Sequence, residues 1–378
     1  MSPFDPPPLL TYLLSSPLLF FLRPLHTLLL SLRPAPRTRI AFQPPIRVVC
    51  ISDTHDRQLS NVPDGDLLIH AGDLTNSGTR ADIQSAVDWL KTLPHAEKVV
   101  VAGNHDGWLD RRVRRFITSV NPEGEEGEEE PGIDWGSIHY LQNSSVTLTF
   151  PPPSPTFTDI DKFTTNTPPS RTLTIHGASQ IPQLDPSPNS IHAFQYPASS
   201  PDCRTASTDT YPYPAPFPSN TDILVTHTPP AHHLDNYPYS VGCPYLLRAI
   251  WRVRPLLHVF GHVHVDRGVE RAYYDRAQEA WEALCGARAE GCLLWERGGG
   301  GLVKGGGDGW WKDLCGVDGV WRLAGSVVWE GIKAVVVRRF RGGAAEGREG
   351  LGREGWMINA ACLDASGKML RGATVVEI

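Results

Sequence analysis

Between Arg47 and His264 one design recurs five times: a short apolar run that breaks off on Asp, His or Asn. The breaks are Ser52-Asp53-Thr54-His55, Gly72-Asp73, Gly103-Asn104-His105-Asp106, Thr226-His227 and Gly261-His262-Val263-His264. Runs such as Arg47–Ser52 and Asp66–His70, short and rich in Val, Ile and Leu, read as buried strands. Residues i and i+2 of a strand point the same way, so Asp53 and His55 are expected to face one point, and His262 and His264 likewise. Ligands of α/β sheets bind beyond the carboxyl ends of the strands, which is where all five breaks would fall. Gly72, Gly103 and Gly261 let backbone pass close to a crowded site.

The side chains gathered in this way are carboxylates, imidazoles and one amide. That set suits Mn, Fe, Zn or a similar ion, and it lacks the thiolates of a structural zinc site. A carboxylate has two oxygens and can bridge two cations about 3.5–4 Å apart, the separation used for in-line phosphoryl displacement. Singly, each break is weak, because a lone His after a strand is usually a hydrogen-bonded structural residue. Five in order, with G-N-H-D and G-H-x-H among them, form a constellation.

The rest of the chain supports a layered α/β domain. A helix is predicted over Thr79–Leu93, where Ile83, Ala86, Val87 and Leu90 fall at i, i+3, i+4 and i+7 and Pro94 stops the run. Further strands are expected at Val99–Ala102, Ser137–Leu141, Ser145–Phe150, Leu173–Ala178, Asp222–Thr226 and Leu257–Phe260, and at Trp356–Leu363 and Ala373–Ile378 near the C-terminus. Helices are expected from Pro244 and over Asp275–Leu284. Residues 1–45 are a separate hydrophobic segment broken by Pro17, Arg23 and Pro24. Its longest uncharged run is shorter than a bilayer span and lacks the charged start of a secretory signal, which leaves a tail, a helix capping the core, a membrane-surface anchor or a tilted span. The domain then occupies 46–378, with irregular inserts at about 121–132, 151–170, 197–220 and 285–355. Lys304 in the glycine-rich Gly298–Gly309 stretch is followed by Gly305, so no phosphate loop is present there.

Composition narrows the function. Six glutamates between Glu123 and Glu130 account for the whole formal charge of −6, so the remainder is neutral and carries no global basic field for nucleic acid. Arg111, Arg112, Arg114 and Arg115 form the one basic cluster near His105, and read first as a solvated helix face. The 7 cysteines include no C-x-x-C pair, which argues for a reducing, cytoplasmic setting, with 1–45 as the candidate membrane contact.

The ordered blocks D-x-H, G-D, G-N-H-D, T-H and G-H-x-H resemble the calcineurin-like metallophosphoesterase superfamily over about Arg47–His264. Thr226-His227 with Pro229-Pro230, Gly242-Cys243, His258–His264 and Ile358-Asn359-Ala360 make the likeness closest to small metallophosphoesterase-domain proteins. The resemblance implies a β-sandwich of two mixed sheets flanked by helices. It implies a hydrolase with two divalent metals, Asp53, His55 and His264 holding one, Asn104, His227 and His262 the other, and Asp73 bridging them. His105 would act on the substrate phosphate rather than bind metal. The implied reaction is hydrolysis of a small-molecule phosphodiester by a metal-activated hydroxide, with a phosphomonoester or a low-activity scaffold as alternatives. Asn76 and Ser77 stand where the Ser/Thr protein phosphatases carry an aspartate and an arginine, which argues against that activity.

Overall fold

The chain is described by a computed structural model, over residues 9–36, 45–120, 132–151, 170–183, 192–196, 216–236, 240–289, 294–295, 302–303, 309–341, 354–364, 366–367 and 371–378. The glutamate run, most of the Gly298–Gly309 stretch and most of the Pro/Ser-rich inserts lie outside these residues.

The strands are β1 (Arg47–Ile51), β2 (Leu67–Ala71), β3 (Glu97–Val101), β4 (His139–Tyr140), β5 (Ser144–Phe150), β6 (Arg171–Ala178), β7 (Ile181–Pro182), β8 (Gln195–Tyr196), β9 (Ile223–Thr226), β10 (Leu257–Phe260), β11 (Gly268–Ala272), β12 (Leu294–Trp295), β13 (Leu302–Val303), β14 (Gly355–Asn359) and β15 (Thr374–Glu377). The helices are α1 (Leu9–Ser15), α2 (Pro17–Ser31), α3 (Arg80–Thr92), α4 (Arg111–Val120), α5 (Pro244–Val253), α6 (Arg276–Ala289), α7 (Gly309–Cys315) and α8 (Val320–Arg341).

Two mixed sheets form a sandwich, ordered β15-β1-β2-β3-β4 and β11-β14-β10-β9-β6-β5. Alternation along the strands builds it. Val48, Cys50, Leu67 and Ile69 of the first sheet meet Ile175, Val225, Val259 and Ile358 of the second in one buried core. The opposite faces are apolar too, so each needs a helical cover. Val49, Ile51 and Leu68 lie under Ile83, Val87 and Leu90 of α3. Leu224, Phe260 and Met357 lie under Leu246, Ile250 and Val253 of α5. Each of these side chains contributes roughly 1.5–3 kcal/mol by leaving water. The caps fit the sequence: Thr79 accepts from Asp82 N at the start of α3, and Cys243 Sγ from Leu246 N at the start of α5.

Outside the sandwich, α2 packs with α6 and α8 through Leu19, Trp281, Leu284, Val320 and Val327. The tie is specific. Ser16 Oγ donates to Asp313 Oδ2 (2.6 Å), Arg271 donates to Leu30 O and Arg33 O (3.1 and 2.9 Å), and His26 stacks on Trp281 at 4.2 Å. Much of the stretch read from sequence as an irregular insert, 285–355, is thus helix: α7 and α8 are built from it. Among the described residues no helix is long and apolar enough to cross a membrane.

Candidate metal centre

All seven residues expected to bind metal, and His105, come to one end of the sandwich, beyond β1, β2, β3, β9 and β10. The convergence has a different cause from strand alternation. β1 ends at Ile51, and Asp53 and His55 follow in the left-handed region (φ 54° and 46°), as do Asp73 (53°) and His262 (69°). Side-chain direction is therefore set by sharp turns past the strand ends, at a cost on the order of 1–3 kcal/mol each. Two glycines permit the crowding: a Cβ on Gly103 would overlap Asp73 Oδ1, and one on Gly261 would overlap Asp53 Oδ2.

Three groups of ligand atoms lie close together: Asp53, His55 and His264; Asp73, His227 and His262; and His55, Asp73 and His105. His264 Nε2 is 3.2 Å from Asp53 Oδ1, and His55 Nε2 is 3.6 Å from Asp73 Oδ2. His227 Nε2 is 3.3 Å from Asp73 Oδ2 and 3.0 Å from Asn104 Oδ1. Geometry alone groups His105 with ligands.

The hydrogen bonds on the far sides of these groups decide what the near sides offer. His227 Nδ1 donates to Ala71 O (2.9 Å), and Asn104 Nδ2 donates to His192 Nδ1 (3.2 Å). His264 Nδ1 donates to Asp364 O (3.2 Å). With their protons directed outward, His227 Nε2, Asn104 Oδ1 and Asp73 Oδ2 turn lone pairs on one another, and His264 Nε2 does so with Asp53. Such an arrangement needs a cation at its centre, so the donor set fits metal ions.

The electrostatics point the same way. Burial opposes charge on His227, yet Asp73 and Asp53 push it up to about 9, which places a proton where a cation is called for. Burial also opposes the charge on Asp53, but the hydrogen bond and charge of His264 hold it down to about 2. Asp73 is held well below the usual carboxylate range against burial, chiefly by His227. Burial and neighbouring His227 push His262 down to about 3, leaving a neutral imidazole.

His105 stands at the rim. Its backbone N–H donates to Asp73 Oδ1 (2.8 Å), and its Nδ1 donates to the backbone carbonyl of Asn76 (3.1 Å). The Asn76 side chain turns instead to His55 O and Asp56. Support for His105 thus comes from main chain.

Three residues act here to which the sequence assigns no role. Asp106 is buried and accepts from Gly103 N, Leu74 N, Thr75 N and Thr75 Oγ1, lashing the Asp73 turn to the Asn104 turn. Asn359, at the end of β14, donates to Val263 O (2.8 Å) and fixes the His262–His264 turn. His192 reaches Asn104 from a segment clipped on by Ala193 N to Asn104 O (2.8 Å) and Phe194 N to Asp110 Oδ2 (2.8 Å). Asp106 follows Asn104-His105 directly in the sequence, whereas nothing around His192 marks it.

Two of the four arginines after His105 belong to this scaffold. Arg112 pairs with Asp110 (3.0 Å), and Arg114 donates to Trp108 O (2.7 Å) while lying over the Trp108 ring. Cys243 is buried, its Sγ engaged by Leu246 N and the Tyr196 hydroxyl.

Residues 46–266 match the family model for calcineurin-like phosphoesterases. The chain belongs to that family. Metallophosphoesterase domain-containing protein 1 of Homo sapiens is 32% identical over 236 residues, 59% of this chain and 62% of that one. A UPF0046 protein of Caenorhabditis elegans is 33% identical over 229 residues, 60% of this chain and 66% of that one. A segment of probable rhamnogalacturonate lyase C of Emericella nidulans is 39% identical over 241 residues, 63% of this chain and 19% of that protein. The matches span under two thirds of each of these relatives, and the lyase name describes that longer protein. A solved structure from Thermus thermophilus aligns over 61% of this calcineurin-like chain and 86% of its own at 14% identity, with a TM-score of 0.34.

Proposed function

We propose that this calcineurin-like protein is a dinuclear metal-dependent phosphoesterase whose preferred substrate class is a small-molecule phosphodiester. The observation that carries the proposal is the set of lone pairs turned on one another by outward hydrogen bonds from His227, Asn104 and His264. Asp53, His55 and His264 would hold one ion, Asn104, His227 and His262 the other, and Asp73 would lie between them. Bound there, such ions supply Lewis acidity and activate water for in-line attack on phosphorus.

The chain's own residues supply the rest. Asp106 and Asn359 keep the ligand turns from relaxing, so the site is organised before substrate arrives. His105, braced through Nδ1 by Asn76 O at the rim of the site, would give a proton to the leaving ester oxygen. The preference for a diester rests on the likeness to small metallophosphoesterase-domain proteins.

The test is hydrolysis of bis-p-nitrophenyl phosphate beside p-nitrophenyl phosphate, with Mn²⁺ and with chelator, in wild type and His264→Ala. Metal-dependent turnover that favours the diester and is lost in the variant is expected. Preference for the monoester would replace the substrate class. Folded protein that binds Mn²⁺ and turns over neither ester would replace the enzyme with a metal-binding scaffold.

A further inference from the structure

Helices α2 and α8 each carry two apolar faces, and only one of them is buried. On α8 the buried stripe is Val320, Ala324, Val327 and Gly331. A second stripe, Trp321, Trp329, Ile332 and Val336, is exposed, with Trp329 at 67%. At about 100° per residue these four side chains fall within one quadrant, turned roughly a third of a circle away from the buried stripe. On α2, Leu19, His26 and Leu29 face inward, while Phe21, Leu25 and Leu28, with Leu32 just past its end, recur at i, i+4, i+7 and i+11 on the other side, with Phe21 at 69% exposed. The two helices touch closely, for a Cβ on Gly331 would meet Leu29 Cδ1. Leu9, Leu10 and Leu14 of α1 and Trp310, Trp311 and Leu314 of α7 are also exposed, as is Val317 between α7 and α8. Helices α1 and α7 contact each other and α2. Elsewhere among the described residues the exposed large apolar side chains are Val269 and Val375.

This exposure is not that of a loose tail. The inward faces are fixed by the Ser16–Asp313 hydrogen bond, the Arg33–Asp275 ion pair and the His26–Trp281 stack, so the outward faces are presented by a built structure. A monomer in water rarely displays so much contiguous apolar surface.

Charge says what covers it. The four helices carry seven Lys and Arg residues and, as acids, only Asp313 and Glu330. Asp313 is buried against Ser16 and Arg288, and Glu330 pairs with Lys333. By sequence these helices carry a formal charge of +5, on a chain whose formal charge is −6. Exposed Trp, Phe and Leu beside basic residues match the region between lipid headgroups and acyl chains. We propose that α1, α2, α7 and α8 form a docking surface for an anionic lipid bilayer, on which the protein lies without crossing it.

The full chain would be sedimented with vesicles of phosphatidylserine in phosphatidylcholine and with vesicles of phosphatidylcholine alone, at two salt concentrations. Binding to the anionic vesicles, weakened by salt and accompanied by a blue shift of tryptophan emission, is expected. The exposed-face variants Phe21→Ser/Leu28→Ser and Trp321→Ser/Trp329→Ser should each lose at least about tenfold in vesicle affinity. Their thermal unfolding and metal-dependent ester hydrolysis should stay at wild-type levels, since none of these residues touches the metal centre. Wild type that ignores both vesicle types would overturn the proposal, as would vesicle binding unchanged in both variants. Dimers abolished by the same variants, with no vesicle binding, would assign the face to a second copy of the chain.

Discussion

The side-chain amide of Asn104 donates to Nδ1 of His192 across 3.2 Å, and this fixes which end of the amide faces His227. Without that acceptor the amide can rotate and offer N–H groups to the cation in place of oxygen. His192→Phe is therefore expected to lower Mn²⁺ affinity by about 10–100-fold, the usual effect of losing a partner that orients a ligand. Titration calorimetry checks it. His192→Gln, which keeps an acceptor, should recover part of the affinity. Equal Mn²⁺ binding by wild type and His192→Phe would show that the amide needs no support.

Much of this site can be read from the sequence because its ligands follow apolar runs that can only be strands. The runs before Asp53, Asp73, Asn104, His227 and His262 all become strands, and their order along the chain delivers them to one end of the sandwich. The direction of the side chains is not legible in that way. It depends on left-handed turns at Asp53, His55, Asp73 and His262 that strand periodicity does not encode. β11 escapes a reading of the sequence because Gly268–Ala272 is an edge strand without apolar alternation. α8 escapes it because apolar residues on two faces blur the polar side that marks an amphipathic helix. His192 sits in a Pro- and Ser-rich stretch and gains its role only through the tertiary clip at Ala193 and Phe194.

Gly103→Ala tests the close approach of two turns. The added Cβ would meet both Oδ1 and the backbone nitrogen of Asp73, so relief by a side-chain rotation is blocked. The expected outcome is a loss of about 1–3 kcal/mol in stability by urea unfolding, with a larger proportional loss of metal affinity because Asp73 itself must shift. Ala at Gly132, where a Cβ meets nothing, is the matched control. An unchanged Mn²⁺ affinity in Gly103→Ala would contradict that crowding.

Metal should also act as a stabiliser. A ligand that binds only the folded state adds about 2.7 kcal/mol at a concentration about 100 times its dissociation constant. Mn²⁺ is thus expected to raise the unfolding temperature by several degrees, and chelator to reverse it. His227→Ala and His264→Ala should each lose part of the rise, since each removes a nitrogen from a different ligand group. A rise of the same size in both variants would place the stabilising ion elsewhere.

His233 offers a pH test remote from the ligands. It is buried, with Nε2 2.9 Å from Glu282 Oε1 and Nδ1 3.2 Å from Glu270 Oε2, so it joins the loop after β9 to α6 and β11. Burial alone would lower its pKa, but the charges and hydrogen bonds of the two carboxylates, Glu270 foremost, raise it well above 6.5. A group whose folded pKa is raised stabilises fully below its unfolded value and loses that contribution as pH climbs through the folded one. Glu270 moves the opposite way: burial raises it, His233 lowers it further, and its contribution is lost only as pH falls below the usual carboxylate range. Stability should hold a plateau around neutral pH and decline on the alkaline side as His233 gives up its proton between two carboxylates. His233→Ala, which leaves both acids without their cation, is expected to cost about 3 kcal/mol at neutral pH. His233→Gln keeps a hydrogen bond without the charge and should flatten the alkaline decline. Thermal melts from acid to alkaline pH decide it, and parallel profiles for wild type and His233→Gln would mean that the charge on His233 does not hold this loop.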